Sequence, residues 1–279
     1  MGRYSPASIV FELPGSGQSQ GHLGVMELAK RNKGNLRNGF SLVELLVAMA
    51  ITAVVMAAVF KIYTTQQDSY VLQEQVAEMQ QNGRTAKYVM TREIRMAGYD
   101  PTGSNNFGFL SAGGNSISFS MDIKVENGDP DPAGEVITYS VSSGNLERND
   151  GSGNEIAVEN VEAIGFAYAY DADDDGSLDT DAGQVIWAVD NGGIWFDLDE
   201  NDDGSITAAD AQAGESTGIV VNLADIRAVK IWILARTGRE DRAFADTSTY
   251  VVADRWVNAN VGSRYHLLTT TVKCRNMAL

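Results

Sequence analysis

A single cysteine, Cys274, excludes an internal disulfide and any zinc site built on thiolates. On its own it reads as a small, buried strand residue. Histidine is nearly as scarce, with only His22 and His266, and neither has an acid at helical or strand spacing. The sequence contains no G-x-S-x-G, no H-E-x-x-H and no phosphate-cradling glycine loop, so no catalytic constellation is assembled and an enzyme is not expected. Basic residues are missing entirely between Arg148 and Arg227. A formal net charge of -16 over 279 residues argues against nucleic acid as a partner, because phosphate backbones are bound by clustered lysine and arginine.

Charge is also nearly missing from the stretch NGFSLVELLVAMAITAVVMAAVFKIY, Asn38 to Tyr63, where only Glu44 and Lys61 carry it. From Phe40 to Phe60 the only charged side chain is Glu44. Roughly 20 apolar residues let a helix cross a bilayer, so residues 40–63 are expected to be the transmembrane half of a helix. A charge inside such a helix costs on the order of 2.5 to 3.5 kcal/mol, which asks for a compensating role for Glu44. Upstream stand Lys30, Arg31, Lys33 and Arg37. The positive-inside tendency keeps that side cytoplasmic and sends the chain after Tyr63 outward. A secretory signal peptide is cut after its apolar core; here the plausible site, Gly39 before Phe40, precedes it.

Beyond Tyr63 the apolar residues Leu72, Val76, Met79, Gly83, Ala86 and Met90 recur at spacings of four and three, which puts them on one helix face. This amphipathic half, residues 64–98, is expected to lie against the protein's own sheet and to stop at Ala97 with Gly98 as its cap, since Pro101 follows. From residue 99 to 279 the signals are strands and turns. Ile117, Phe119 and Met121 alternate with polar residues; Val136–Val141 and Ala163–Tyr170 are short runs; Val185–Val189 and Ile194–Asp197 flank Asp190-Asn191-Gly192-Gly193 as a hairpin. Asp225–Arg236 and Arg264–Asn276 read as two further strands. The fold class is therefore α+β: a long N-terminal helix packed on an antiparallel β-rich globular domain.

The basic segment followed by Gly39, Phe40, Ser41, Leu42, Val43, Glu44, Leu45 and Leu46 resembles the prepilin signature of type IV pilins and type II secretion pseudopilins. The resemblance implies that residues 1–39 are a leader, that a membrane-embedded aspartyl prepilin peptidase cuts between Gly39 and Phe40, and that the new amine of Phe40 is methylated. It also implies that Glu44 pairs with the terminal amine of a neighbouring subunit during assembly; the plainer reading is a carboxylate that snorkels to the membrane surface. A leader of 39 residues is long for the family, and Met26 would supply a short basic one, so translation is expected to begin there. MTREIRMAGYDPTG (Met90–Gly103), DIRAVKIWILAR and RYHLLTTTVKCRN resemble the PilW branch of minor pilins, leaving the acidic middle as this chain's own addition. Many pilins close a loop with a disulfide, and with one cysteine other forces must hold the C-terminal region here. The implied function is that of a minor pilin in pilus initiation or a tip complex, partnered by other minor and major pilins at the inner membrane. The J-type pseudopilin of type II secretion and a membrane-anchored calcium-dependent adhesin are the alternatives.

The middle, about residues 171–215, carries the one ligand-site motif. Asp199, Asn201, Asp203, Gly204, Ser205, Thr207 and Asp210 occupy the first, third, fifth, sixth, seventh, ninth and twelfth places of a calcium loop, where alternate oxygens face an ion and the glycine permits a sharp turn. A second, imperfect copy runs Asp171, Asp173, Asp175, Gly176, Ser177 and Asp179, but Ala182 holds its twelfth place, so Asp181 or water would have to complete the shell. Oxygen ligands of this kind select calcium, and two calcium ions are expected. The plainer reading is a solvated acidic surface, which mutual repulsion without a basic neighbour would oppose.

Overall fold

A computed structural model describes residues 39–124, 128–131, 133–210, 214–241 and 244–277. The expected leader, apart from Gly39, lies outside the described residues. The chain divides into two compact units, one ending at Ala58 and one running Val59–Leu279, and the tertiary packing below belongs to the second.

A single α-helix, α1, runs Leu42–Ile94 over 53 residues. Between Phe40 and Ala97 there is no proline and only one glycine, Gly83, so nothing in the sequence interrupts it. In the first unit its apolar turns are all exposed, Phe40 to 85%, as expected of a surface made for lipid or for other helices. In the second unit the stripe behaves as its spacing requires: Met79, Gly83, Ala86, Met90 and Ile94 are buried. A Cβ on Gly83 would come within 2.6 Å of Leu268, so the missing side chain lets helix and sheet approach closely. Burying residues such as Met90 and Ile94 contributes roughly 1.5–3 kcal/mol each. The helix ends at Ile94 rather than Ala97, and the chain then tightens, with Met96 N–H donating to Glu93 and Ala97 N–H to Ile94. Gly98 follows at φ 75°, the left-handed conformation its placement predicts.

Among the described residues fifteen strands follow: β1 Phe109–Ala112, β2 Ile117–Ser120, β3 Val136–Ser142, β4 Asn145–Asn149, β5 Asn154–Val158, β6 Val161–Tyr170, β7 Thr180–Asp181, β8 Gln184–Val185, β9 Ala188–Asn191, β10 Ile194–Asp197, β11 Glu215–Ser216, β12 Ile226–Arg236, β13 Thr249–Val252, β14 Arg255–Asn258 and β15 Tyr265–Lys273. They form a five-stranded sheet in the order β1-β2-β3-β4-β5, a six-stranded sheet in the order β11-β10-β9-β6-β12-β15, and two small hairpins, β7–β8 and β13–β14. Each pairing is antiparallel.

The central strand β6 shows how sequence sets the layers. Its large residues Ile164, Phe166, Tyr168 and Tyr170 join Ala86, Met90 and Ile94 of the helix and Phe119, Ile137 and Tyr139 of the five-stranded sheet in one core. On the opposite face, Ala163 and Ala167 join Trp232, Leu234, Val252 and Ala253 in a second core. Gly165 lies on that face, where a Cβ would stand 2.8 Å from the Ala253 Cβ and 2.9 Å from the Val252 backbone. Small residues on one face thus admit the β13–β14 hairpin, and large ones on the other fill the main core.

Two contacts hold the helix end and the C-terminus without a disulfide. Glu93 accepts hydrogen bonds from Tyr139 Oη at 2.5 Å and from Arg148 Nε at 3.0 Å, and burial followed by the Glu93 charge pushes the Tyr139 hydroxyl well above its ordinary pKa. At the other end, Cys274 N–H donates to Arg227 and Met277 N–H to Cys274. The Met277 sulfur then lies 2.6 Å from where a Gly98 Cβ would stand and 3.5 Å from that of Gly108. Cys274 is buried as expected, with its thiol pushed up to about 12 by desolvation, but the strand read as running to Asn276 ends at Lys273, so Cys274 sits just beyond it, before a short 3-10 turn at Arg275–Met277.

Gly98→Ala is expected to lower stability by about 1–2 kcal/mol through the left-handed backbone alone, and further through the clash with Met277. In a Met277→Ala background only the backbone part should remain, so the two substitutions should be less than additive in denaturant titrations of the full chain in detergent. Neutral behaviour of Gly98→Ala would contradict the cap described here.

Candidate functional site

The amino end of α1 is built by Ser41 and Glu44. Ser41 Oγ accepts from Glu44 N–H at 3.1 Å, and Glu44 Oε2 accepts from Ser41 N–H at 3.4 Å. This reciprocal pair is a capping box, whose S-x-x-E spacing was legible in the sequence but overshadowed by the charge. It gives Glu44 a local structural role beside any role in docking. Among the described residues, no atom beyond its chain neighbours lies within 4 Å of the position a Cβ on Gly39 would take. The apolar stretch of α1 is long enough to cross a membrane, and none of its most apolar window is buried.

The two acidic loops leave the same end of the six-stranded sheet. β6 and β10 are both antiparallel to β9, which lies between them, so they point the same way and their carboxyl ends are two strand spacings, about 10 Å, apart. Asp171 follows β6 directly, and Asp199 follows β10 by two residues. The backbone repeats between them. In the first loop Asp175 N–H donates to Asp171 Oδ1 and Asp173 Oδ1, Gly176 N–H to Asp171 Oδ2, and Ser177 N–H to Asp175 Oδ1. In the second, Asp203 N–H donates to Asp199 Oδ1 and Asn201 Oδ1, Gly204 N–H to Asp199 Oδ2, and Ser205 N–H to Asp203 Oδ1. Left-handed residues recur at the same places, Asp174 and Gly176 in one loop, Asp202 and Gly204 in the other.

The loops differ in how they close. Asp171, Asp173 and Asp179 each bring an oxygen within 4.8 Å of the others, the one such acidic trio among the described residues. Asp181, considered as a closing ligand, instead accepts from Ala182 N–H within the β7–β8 turn. Burial, and then repulsion from Asp173, Asp171 and Asp175, raises the pKa of Asp179 against the opposing Ala172 N–H. In the second loop Thr207 Oγ1 accepts from Ala209 N–H, and Asp210 Oδ2 accepts from Thr207 N–H at 2.7 Å. Asp210 is only 4% exposed and, among the described residues, its Oδ1 has no hydrogen-bond partner. The Asp199 carboxyl is raised, first by burial, with repulsion from Asp203 and Asp210 adding to it against donors from Gly204 and Asp203.

One expectation is corrected by the topology. The first loop does have a basic neighbour: Arg227 stands at the start of β12, beside the end of β6, with Nη2 3.2 Å from Asp174 and Nε 3.9 Å from Asp171. Sequence distance concealed this partner. Lys230, three residues further along β12, stacks over Trp187 and Trp232 at 5.2 and 5.5 Å and reaches Asp199 only through space. His266 is exposed on β15.

Two family profiles match the chain: the prokaryotic N-terminal methylation motif over residues 34–60, and type IV pilus-assembly protein W over residues 138–276. The second match runs through the acidic segment, which sequence reading had set apart from the PilW-like parts, and does not reach Met90–Gly103. No curated protein matches the chain. Among solved structures, a type IV-like pilin from Thermus thermophilus is similar at 16% identity, covering 75% of this chain and 98% of its own, with a TM-score of 0.39. The methylation motif on the helix and the assembly-protein match over residues 138–276 together support a PilW-like type IV minor pilin.

Proposed function

We propose that the chain is cut between Gly39 and Phe40 by the prepilin peptidase and methylated on Phe40. It is then held in the inner membrane with its amino end inward and its β-rich domain outside, and enters the pilus with other minor and major pilins as part of an initiating or tip complex. The observation that carries this reading is the isolation of Glu44. It is the only charged side chain from Phe40 to Phe60, on a helix whose apolar turns are unburied within the chain. In surroundings of low dielectric constant, a carboxylate and an amine on neighbouring helices attract strongly only when the helices are correctly staggered. The capping box does not exhaust Glu44, because only Oε2 accepts from Ser41 N–H.

Processing depends on close access to the backbone, so a bulky residue in place of Gly39 should leave the uncut precursor in the membrane. Intact-mass analysis that still found a chain beginning at Phe40 would contradict the cleavage assignment. Glu44→Gln separates the two roles of that side chain, since glutamine can keep the capping box but carries no charge. Glu44→Gln is expected to insert normally, to make the helix more compatible with lipid, and to be lost from sheared pili. Incorporation of Glu44→Gln at the level of the unaltered chain would remove the docking role.

A further inference from the structure

We propose that the second acidic loop, Asp199 to Asp210, is a calcium site in which Asp210 supplies the closing ligand, and that the first loop draws its counter-charge from Arg227. The loop supplies oxygens at alternate positions, Asp199, Asn201 and Asp203, around a left-handed Gly204, the spacing that wraps six to eight oxygens about one hard cation. Spacing alone would describe many solvated acidic turns. Asp210 adds an independent observation.

Asp210 is 4% exposed, its Oδ2 is engaged by Thr207 N–H, and its Oδ1 is buried without a partner among the described residues. An unmet carboxylate oxygen out of water costs several kcal/mol unless a cation or donor answers it. Among the described residues, Asp199, Asp203 and Asp210 make no ion pair within 4.0 Å, whereas the first loop has two with Arg227. These three carboxylates therefore lack what the first loop has, and a divalent cation is the group whose charge and coordination fit.

Oxygen donors without thiolate or imidazole exclude a preference for zinc or copper. Magnesium demands a small, near-ideal octahedron and gives up its waters reluctantly, so it should fit a loop of this span poorly. The loop follows β10, whose neighbour β11 lies across the segment after Asp210. An ion would thus tie the strand end to the return of the chain at the sheet edge. Millimolar calcium is met outside the cytoplasm, a condition that rests on the orientation proposed above, but binding itself can be measured on the purified chain whatever its orientation.

The test uses the full chain in detergent, calorimetric titration with calcium chloride, and melting in calcium, magnesium and chelator. The unaltered chain should bind calcium at about 10⁻⁴ to 10⁻³ M and melt higher in calcium than in chelator. Asp210→Asn should weaken binding at least about tenfold. In chelator it should also melt higher than the unaltered chain, because the unmet buried charge is gone. A merely structural aspartate would not produce those two opposite effects. Asp179→Asn, in the first loop, should keep the calcium response. Unchanged affinity in Asp210→Asn, loss of the response in Asp179→Asn instead, or an equal response to magnesium would each overturn the assignment. None of these outcomes would touch cleavage at Gly39 or pilus incorporation.

Discussion

A carboxylate taken out of water must be answered by positive charge or by hydrogen-bond donors, and both functional ends of this protein are organised by that demand. On the helix, Glu44 is answered locally by Ser41 N–H. At the helix end, Glu93 is answered by Tyr139 and Arg148, which fastens α1 to the five-stranded sheet. In the loops, Asp171 and Asp174 are answered by Arg227, and the second loop holds a buried oxygen, Asp210 Oδ1, for which the described residues offer no donor. Where the answer comes from inside the chain it fixes the fold, and where it does not it points to a partner or an ion.

The two-layer packing makes this placement possible. β6 carries large side chains toward the helix and five-stranded sheet and small ones toward the β13–β14 hairpin, so it is covered on both faces. That burial holds the ends of β6, β10 and the start of β12 at one edge, where both acidic loops and Arg227 emerge. Without a disulfide, the C-terminal strand is closed by β12–β15 pairing and by Met277 lying over Gly98 and Gly108. A flexible thioether fills the irregular gap that the helix cap leaves.

Much of this was legible in the sequence because the signals were periodic or local. The stripe from Leu72 to Met90, the cap at Gly98, the Gly192-Gly193 hairpin and the long strands ending at Arg236 and beginning near Tyr265 all follow from spacing and turn chemistry. β4 and β5 were missed because polar residues such as Asn145, Glu147, Arg148 and Asn154 interrupt the alternation. β7, β8 and β11 are two residues each, too short to carry a pattern. The helix end fell at Ile94 rather than Ala97 because tight turns, indistinguishable from helix in sequence, continue to the glycine. Arg227 is 53 residues from Asp174, and only the antiparallel pairing of β6 with β12 brings them together; no local rule could have supplied that contact.

The account rests on this chain being a processed subunit rather than a permanent membrane resident. Mass spectrometry of pili sheared from cells tests that most directly. The chain should be recovered there beginning at Phe40, with one methyl group on its terminal amine. Its absence from sheared pili, with all of it retained in the membrane and the residues before Phe40 still attached, would contradict the account.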